Sequence, residues 1–309
     1  MRRLFALPGG QGCCRTGRVC PPWPATVTIP PPTPPASGRG VRQAVAEAAT
    51  SFTTLSQTPR LDAELLMAHA LGISRETLLL KHLDGPLPAT FAPLVARRLN
   101  HEPIAYITGT RGFWTIELQV GPGALVPRAD SETLIEAAID HFGARAPKTV
   151  LDLGTGPGTL LLAALDQWPE ATGLGVDASN TVLEMAKANA ARLGMENRAR
   201  FESGNWADSI TGRFDLILAN PPYIGTGEVL PAEVRDHEPA SALFAGPDGL
   251  DDYRLIVPQL SRLIAPGGVA ILEIGATQAE AVTALLVEQG LSVTLRRDLG
   301  NNPRALLAT

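Results

Sequence analysis

Cysteine is almost missing from this 309-residue chain: Cys13, Cys14 and Cys20 are all it has, and none follows position 20. No disulfide can brace the remainder, a usage typical of a reducing compartment. No histidine or acid lies near the three thiols, so they do not read as a metal or redox motif. Long apolar runs are missing too. Gly or charge interrupts every stretch well short of the ~18 residues a membrane-spanning helix needs. Nor is there a surplus of positive charge: 26 Lys+Arg stand against 31 Asp+Glu, a net of −5, so no global basic field points to nucleic acid or an anionic membrane. These absences exclude integral membrane proteins, collagen-like chains and disulfide scaffolds. The chain does hold 45% hydrophobic and 18% charged residues, the composition of a soluble globular protein, and its length suggests about two domains.

Residues 1–40 carry Pro21, Pro22, Pro24, Pro30-Pro31-Pro32 and Pro34-Pro35 with five arginines and no acid. They read as a disordered Pro-rich leader, or as an over-extended start of translation. Arg2-Arg3 resembles the basic end of a signal peptide, but Leu4-Phe5-Ala6-Leu7 stops at Pro8-Gly9-Gly10, too short for its apolar region.

Helical spacing dominates residues 41–104. Val41, Val45 and Ala48 form one stripe. Leu61, Leu65, Ala68 and Leu71 form a second between Pro59 and Gly72, and Phe91, Leu94, Val95 and Leu99 form a third. Residues 105–127 change to a period of two. Ala105-Tyr106-Ile107 and Phe113–Val120 flank Gly109-Thr110-Arg111-Gly112, which predicts a β-hairpin linker. Residues 128–309 then alternate helices and strands. Asp130 or Ser131 offers an N-cap to a helix through Leu134, Ile135, Ala138, Ile139 and Phe142, closed by Gly143.

Strands are expected at Val150–Leu153, Gly173–Val176, Ala199–Glu202, Phe214–Ala219, Val269–Ile274, Leu291–Leu295 and Ala305–Ala308. Helices are expected near Thr159–Gln167, Asn180–Leu193, Asp252–Ile264 and Thr277–Glu288. The alternation predicts an α/β fold: βαβ units and a mostly parallel sheet covered on both faces. This part is acidic, with 24 Asp+Glu against 14 Lys+Arg over 128–309.

Val150–Leu153 runs into Gly154-Thr155-Gly156-Pro157-Gly158, a strand, a glycine-rich turn and a helix start. Glycines there admit a ligand close to the backbone, and the helix start supplies free N–H groups. Asp177 ends the next strand, 21 residues after Gly156. An acid in that position accepts hydrogen bonds from ribose hydroxyls in a doubly wound sheet. Pro157 removes an N–H that a pyrophosphate would use. A ligand with adenosine and no phosphate fits better, and S-adenosyl-L-methionine is one. No metal is expected.

Asn220-Pro221-Pro222-Tyr223 follows the apolar strand Phe214–Ala219, at the sheet edge where α/β folds bind ligands. The prolines stiffen the backbone, so the Asn220 side chain and the Pro221 carbonyl converge as two acceptors. They suit the two hydrogens of a planar –NH2 group, with Tyr223 packing on its face. Such a nitrogen is a weak nucleophile, and the chemistry expected is positioning and electrostatic stabilisation beside an activated methyl donor.

Together these residues resemble the release factor glutamine methyltransferases (the PrmC or HemK family), members of the class I S-adenosylmethionine-dependent methyltransferases. The likeness runs from about Val41 to the C-terminus. It includes Asp62-Ala63-Glu64-Leu65-Leu66, Glu102-Pro103, Tyr106-Ile107-Thr108-Gly109 and Pro127-Arg128-Ala129-Asp130. Beyond the glycine turn and Asn220–Tyr223, it takes in His237-Glu238-Pro239, Ala242-Leu243, Asp248-Gly249-Leu250-Asp251, Tyr253-Arg254 and Glu273-Ile274-Gly275.

The resemblance implies a Rossmann-like methyltransferase domain at 128–309, with a seven-stranded, mostly parallel sheet. It implies a substrate-recognising helical domain at 41–104. It also implies cofactor contacts from Gly154, Thr155, Gly156, Pro157, Gly158, Asp177, Trp206 and Asn220, with Trp206 against the adenine. Asn220, Pro221, Pro222 and Tyr223 would be catalytic and hold the substrate glutamine.

The chain departs from the family at Asn205, where an acid is usual, and at Ala129-Asp130, where Pro-Glu is common. The implied substrate is the glutamine of the GGQ loop of class 1 peptide chain release factors, methylated at N5 by a cytoplasmic monomer. Gly9-Gly10-Gln11 matches that triplet by coincidence in a chain of 30 glycines. A ribosomal protein glutamine is the nearest alternative. An adenine amine of DNA or RNA is another, disfavoured by the acidic domain, as is a non-catalytic binding module.

Overall fold

A computed structural model describes residues 40–309. The Pro-rich leader, its three cysteines and the Gly9-Gly10-Gln11 triplet lie outside the described residues.

Five short helices come first: α1 (Val41–Ser51), α2 (Pro59–Leu71), α3 (Arg75–Thr77) running into a π-turn at Leu78–His82, α4 (Phe91–Leu99) and α5 (Ile104–Thr108). Pro59 starts α2 where its missing N–H costs nothing, and Gly72 ends it in the left-handed region at φ 66°. Only part of the Leu61-Leu65-Ala68-Leu71 stripe faces the core: Ala68 is buried and Leu71 packs against it. Leu61 is exposed and Leu65 half-buried, while Asp62, Ala63, Leu66 and Met67 point inward. The buried carboxylates are matched: Asp62 by Arg98 of α4 at 3.0 Å, Glu64 by Arg60 at 2.5 Å and Arg75 at 2.8 Å. Arg98 is correspondingly buried on α4 and the expected Leu99 is exposed. Apolar spacing cannot register an inner face that contains paired charges.

A second correction concerns Ala105-Tyr106-Ile107, expected as a strand. It lies in α5, which starts behind Pro103 and stops at Gly109 with φ 77°. The hairpin is shorter and shifted. Strand β1 (Thr110–Phe113) pairs antiparallel with β2 (Ile116–Gln119), and the chain reverses at Trp114, which adopts φ 54°. Trp114 is held there by its N–H to Glu132 at 2.9 Å and its indole to Gln167 at 3.3 Å. The hairpin's Phe113, Ile116 and Leu118 pack into the same core as Leu134, Leu161 and Leu218, whereas α1, α2 and α4 close a core of their own around Phe52, Leu66 and Leu78.

The remainder alternates as expected: α6 (Glu132–Phe142), β3 (Thr149–Leu153), α7 (Thr159–Gln167), β4 (Thr172–Asp177), α8 (Asn180–Arg192), β5 (Ala199–Ser203) and β6 (Phe214–Ala219). After these come α9 (Ala232–His237), α10 (Asp251–Leu263), β7 (Ile264–Glu273), α11 (Ala279–Glu288), β8 (Val293–Arg297) and β9 (Pro303–Ala308). Helix α9 and a 3-10 turn at Ala240–Ala242 lie between β6 and α10. The seven strands run in the order β5-β4-β3-β6-β7-β9-β8, and only β9 is antiparallel to its neighbours. One face of the sheet packs on α6 and α7, the other on α10 and α11. Among the described residues no helix is long and apolar enough to cross a membrane.

Candidate functional site

The strand order reverses between β3 and β6, and in open parallel sheets the crevice at that reversal is where ligands sit. Register brings the sequence motifs to it. Leu153 lies opposite both Val176 and Ala219, so Gly154, Asp177 and Asn220 emerge at the same edge. Asp177 in turn lies opposite Ser203, which delivers Gly204-Asn205-Trp206 beside them.

Three cavities open along this edge. The first, about 260 Å³, is lined by Gly154, Gly156, Asp177, Trp206, Asn220 and Pro222 among others. The second, about 140 Å³, is lined by Arg128, Asn220, Pro221, Tyr223, Leu243 and Glu273 among others. The third, about 50 Å³, lies under the glycine turn between Arg128, Thr155, Pro157 and Asn220. Asn220 is common to all three.

The glycine turn divides by role. Gly154 stands at φ 72°, and a Cβ on it would come within 3.0 Å of the Trp206 ring. Thr155 is turned inward, its hydroxyl donating to Asp152 Oδ2 at 2.7 Å, and it lines only the smallest cavity, as does Pro157. Gly158 lines none of the three. It starts α7 at φ 89°, where a Cβ would meet Leu162 at 2.8 Å, so packing explains it. Asp177 accepts from Gly156 N–H at 3.0 Å and from Ser179 N–H at 2.9 Å. Each of its oxygens keeps a lone pair for a hydroxyl in the first cavity. Trp206 adopts φ 50° and donates its indole N–H to Asp252 at 3.1 Å. Burial pushes the Asp252 carboxyl up. It lines the same cavity, so an acid is present there although position 205 is Asn.

Asn220 donates its Nδ2 to the Ser131 hydroxyl at 3.2 Å. Pro222 faces the first cavity, while Pro221 and Tyr223 face the second. The loop is anchored by Gln278, which donates to the carbonyls of Tyr223 at 2.9 Å and Gly249 at 3.1 Å while accepting from Gly275 at 3.0 Å. Burial raises the Tyr223 hydroxyl, with the Glu273 charge adding to it. His237 is not at the cavities: its Nε2 meets the Asn100 carbonyl at 3.1 Å. Its neighbour Glu238 is fully enclosed against Arg128 at 2.5 Å, yet burial still holds its carboxyl above the usual range.

Sequence reading missed Ser131 as a partner of Asn220, Gln278, and Asn189. The last is fully buried on α8, exchanges hydrogen bonds with Gln119 and donates to the Pro157 carbonyl at 2.9 Å. Each is a lone polar residue far from its partner in sequence. Only burial without charge, as at Asn189, marks them out.

The first cavity suits S-adenosylmethionine: a carboxylate with free lone pairs, a glycine turn and a tryptophan line it. Fold and site define the class of S-adenosylmethionine-dependent methyltransferases, and residues 145–291 match a methyltransferase domain family. Residues 43–109 match the PrmC N-terminal domain.

Proteins named release factor glutamine methyltransferase are similar along most of the chain. That of Rhodospirillum rubrum is 42% identical over 261 residues, 82% of this chain and 79% of its own length. That of Caulobacter vibrioides is 40% identical (81% and 89%), and that of Mycolicibacterium smegmatis 38% (85% and 95%). The catalytic domain of hMettl16, solved with MAT2A 3'UTR hairpin 6, shares the fold at a TM-score of 0.52 and 16% identity, over 63% of this chain and 75% of that one. The chain belongs to the release factor glutamine methyltransferase family.

Proposed function

We propose that this chain methylates N5 of the glutamine in the GGQ motif of class 1 peptide chain release factors. The observation that carries this reading is the place of Asn220, shared between the cavity of Asp177 and Trp206 and the cavity of Pro221 and Tyr223. When bound, S-adenosylmethionine supplies a methyl carbon already activated by its sulfonium. Gly154, Gly156, Asp177 and Trp206 would hold it, with Thr155, Pro157 and Gly158 shaping the turn from behind.

In the second cavity, Asn220 Oδ1 and the Pro221 carbonyl accept the two hydrogens of the substrate carboxamide, and Tyr223 covers its face. Fixing both N–H bonds favours localising a lone pair that resonance otherwise spreads toward the carbonyl. After transfer the nitrogen sheds a proton and returns to a neutral amide. In this reading residues 41–104 recognise the protein substrate, 105–127 link, and 128–309 catalyse. One chain suffices, since every residue invoked belongs to it. The acidic catalytic domain favours a protein over a nucleic acid substrate.

Incubation with labelled S-adenosylmethionine and, separately, purified release factor, ribosomes and DNA tests the reading, with peptide masses locating the label. Label on the GGQ glutamine is expected. Label on a ribosomal protein or on DNA, with the release factor untouched, would overturn it.

A further inference from the structure

Glu273 ends β7 at the site and is 1% exposed, yet the scheme above gives it no part. It lines the second cavity beside Asn220, Pro221 and Tyr223. Its Oε2 has no hydrogen-bond partner among the described residues. The Ser131 hydroxyl is near enough to the carboxyl to favour its charged form. Ser131, itself 2% exposed, accepts from Asn220 Nδ2 at 3.2 Å. A turn before α6, the end of β6 and the end of β7 thus bring Asn220, Ser131 and Glu273 together, the first two hydrogen-bonded and the hydroxyl of the second beside the carboxyl of the third.

The order of donors and acceptors in that trio has a consequence. An ionised carboxylate can only accept, so Ser131 must turn its hydrogen toward Glu273. Its lone pairs are then left for Asn220 Nδ2, its hydrogen-bond donor among the described residues. The Asn220 amide is therefore oriented with Oδ1 away from Ser131. A reversed amide would present N–H groups to a substrate nitrogen that offers N–H groups of its own.

We propose that Glu273, acting through Ser131, is a positioning residue that selects which end of the Asn220 amide faces the substrate. The proposal rests on the reading of Asn220 as an amide clamp. Protonation would reverse the logic: a neutral Glu273 can donate, and Ser131 is then free to turn its hydrogen onto Asn220 Oδ1. The groups around the carboxyl are Arg304 on β9 and Arg128 before α6, which favour the charge, and Asp130, which opposes it. Tyr223 lies beside it, and Tyr253 of α10 donates to its backbone carbonyl at 2.7 Å. Burial outweighs the arginines and pushes the carboxyl up to about 7. Positioning is then lost as pH falls through neutrality.

The test measures kcat, KM for purified release factor, and cofactor affinity for the full-length enzyme from about pH 6 to 9. The variants are Ser131→Ala, Glu273→Gln, the pair together, and Asn220→Ala as reference. Ser131→Ala should lower kcat by about tenfold or more, with cofactor affinity within about twofold, since small misplacements of a positioned group cost this much. Glu273→Gln is neutral at every pH, so it should lose the acid limb of kcat, and at high pH it should turn over more slowly. The double variant should be no slower than Ser131→Ala, because the link to Asn220 is already cut.

Multiplying losses in the double variant, or an acid limb that survives in Glu273→Gln, would overturn the proposal. If Ser131→Ala does not fold, the pH profile of Glu273→Gln decides alone. Should Asn220→Ala keep full turnover, the clamp itself is wrong. Should it lose turnover while both other variants keep theirs, only the role of Glu273 and Ser131 fails.

Discussion

Arg98 donates its Nε to Asp62 Oδ2 at 3.0 Å, with both side chains buried, and joins α4 to α2 across 36 residues of sequence. The same guanidinium reaches Glu233 of α9 at 2.9 Å, 135 residues further on. Helix α9 also carries Val234 into the lining of the second cavity. The N-terminal helices are thus tied by one buried charge to the wall of the candidate site.

Removing Asp62 leaves the buried Arg98 with Glu233 as its remaining carboxylate, and losing a buried charged hydrogen bond still costs more than an exposed ion pair is worth. Asp62→Ala should destabilise the protein by about 2 kcal/mol, read from the midpoint of urea unfolding. Replacing Asp62 and Arg98 together by Leu and Met should recover much of that loss. A midpoint unchanged in Asp62→Ala would show that the pair contributes nothing.

The Asp177 carboxylate lines the first cavity, and its two backbone hydrogen bonds leave room for two more. Asp177→Ala should weaken S-adenosylmethionine binding by roughly ten- to a hundredfold, the worth of about 1.5–3 kcal/mol in hydrogen bonds to a charged group. Calorimetric titration checks this. Turnover at saturating cofactor should fall much less, because Asp177 lies outside the second cavity.

Asn220→Ala removes the acceptor at the meeting of the three cavities. Turnover should drop by at least tenfold, about 1.4 kcal/mol in barrier, with cofactor affinity far less affected. Single-turnover methylation of release factor measures the first and equilibrium titration the second. Equal turnover would reduce the Asn-Pro-Pro-Tyr loop to a structural turn.

Asp152 sits fully buried beneath the glycine turn, accepting from Thr155 Oγ1 at 2.7 Å and Leu161 N–H at 3.1 Å, with Oδ1 unpartnered among the described residues. Burial pushes its carboxyl from 3.8 up to about 7. A carboxyl raised in the folded state contributes stability that is whole below its unfolded pKa of about 4 and is lost as pH rises through about 7. Relative to Asp152→Asn, which keeps an acceptor without a charge, wild type should lose stability between about pH 4 and 7 and then level off. Urea unfolding of both proteins across that range gives the difference directly, and other titrating groups common to both cancel. A constant difference would mean that Asp152 does not titrate there.

Much of the catalytic half was legible in one dimension. Phe214–Ala219 and Thr159–Gln167 fall where apolar runs and their boundaries put them. The glycine turn, Asp177 and Asn220 could be read because parallel strands deliver consecutive βα junctions to one edge. The helical half was harder. Leu61 and Leu99 belong to apolar stripes yet are exposed, while Asp62, Glu64 and Arg98 are buried. Their burial depends on pairing with residues on other helices, which no periodicity displays. Ala105–Ile107 misled for another reason: three residues between Pro103 and Gly109 are too few to tell a period of two from a helical turn.

The order of elements, the glycine turn and the chemistry of Asn220 to Tyr223 follow from the chain alone, because each depends on neighbours a few residues away. Which face of α2 turns inward, which glycines meet a ligand rather than a leucine, and what holds Asn220 in place were decided only by folding. Ser131, Asn220 and Glu273 are spread over more than a hundred residues, and buried hydrogen bonds choose their partners by distance in space.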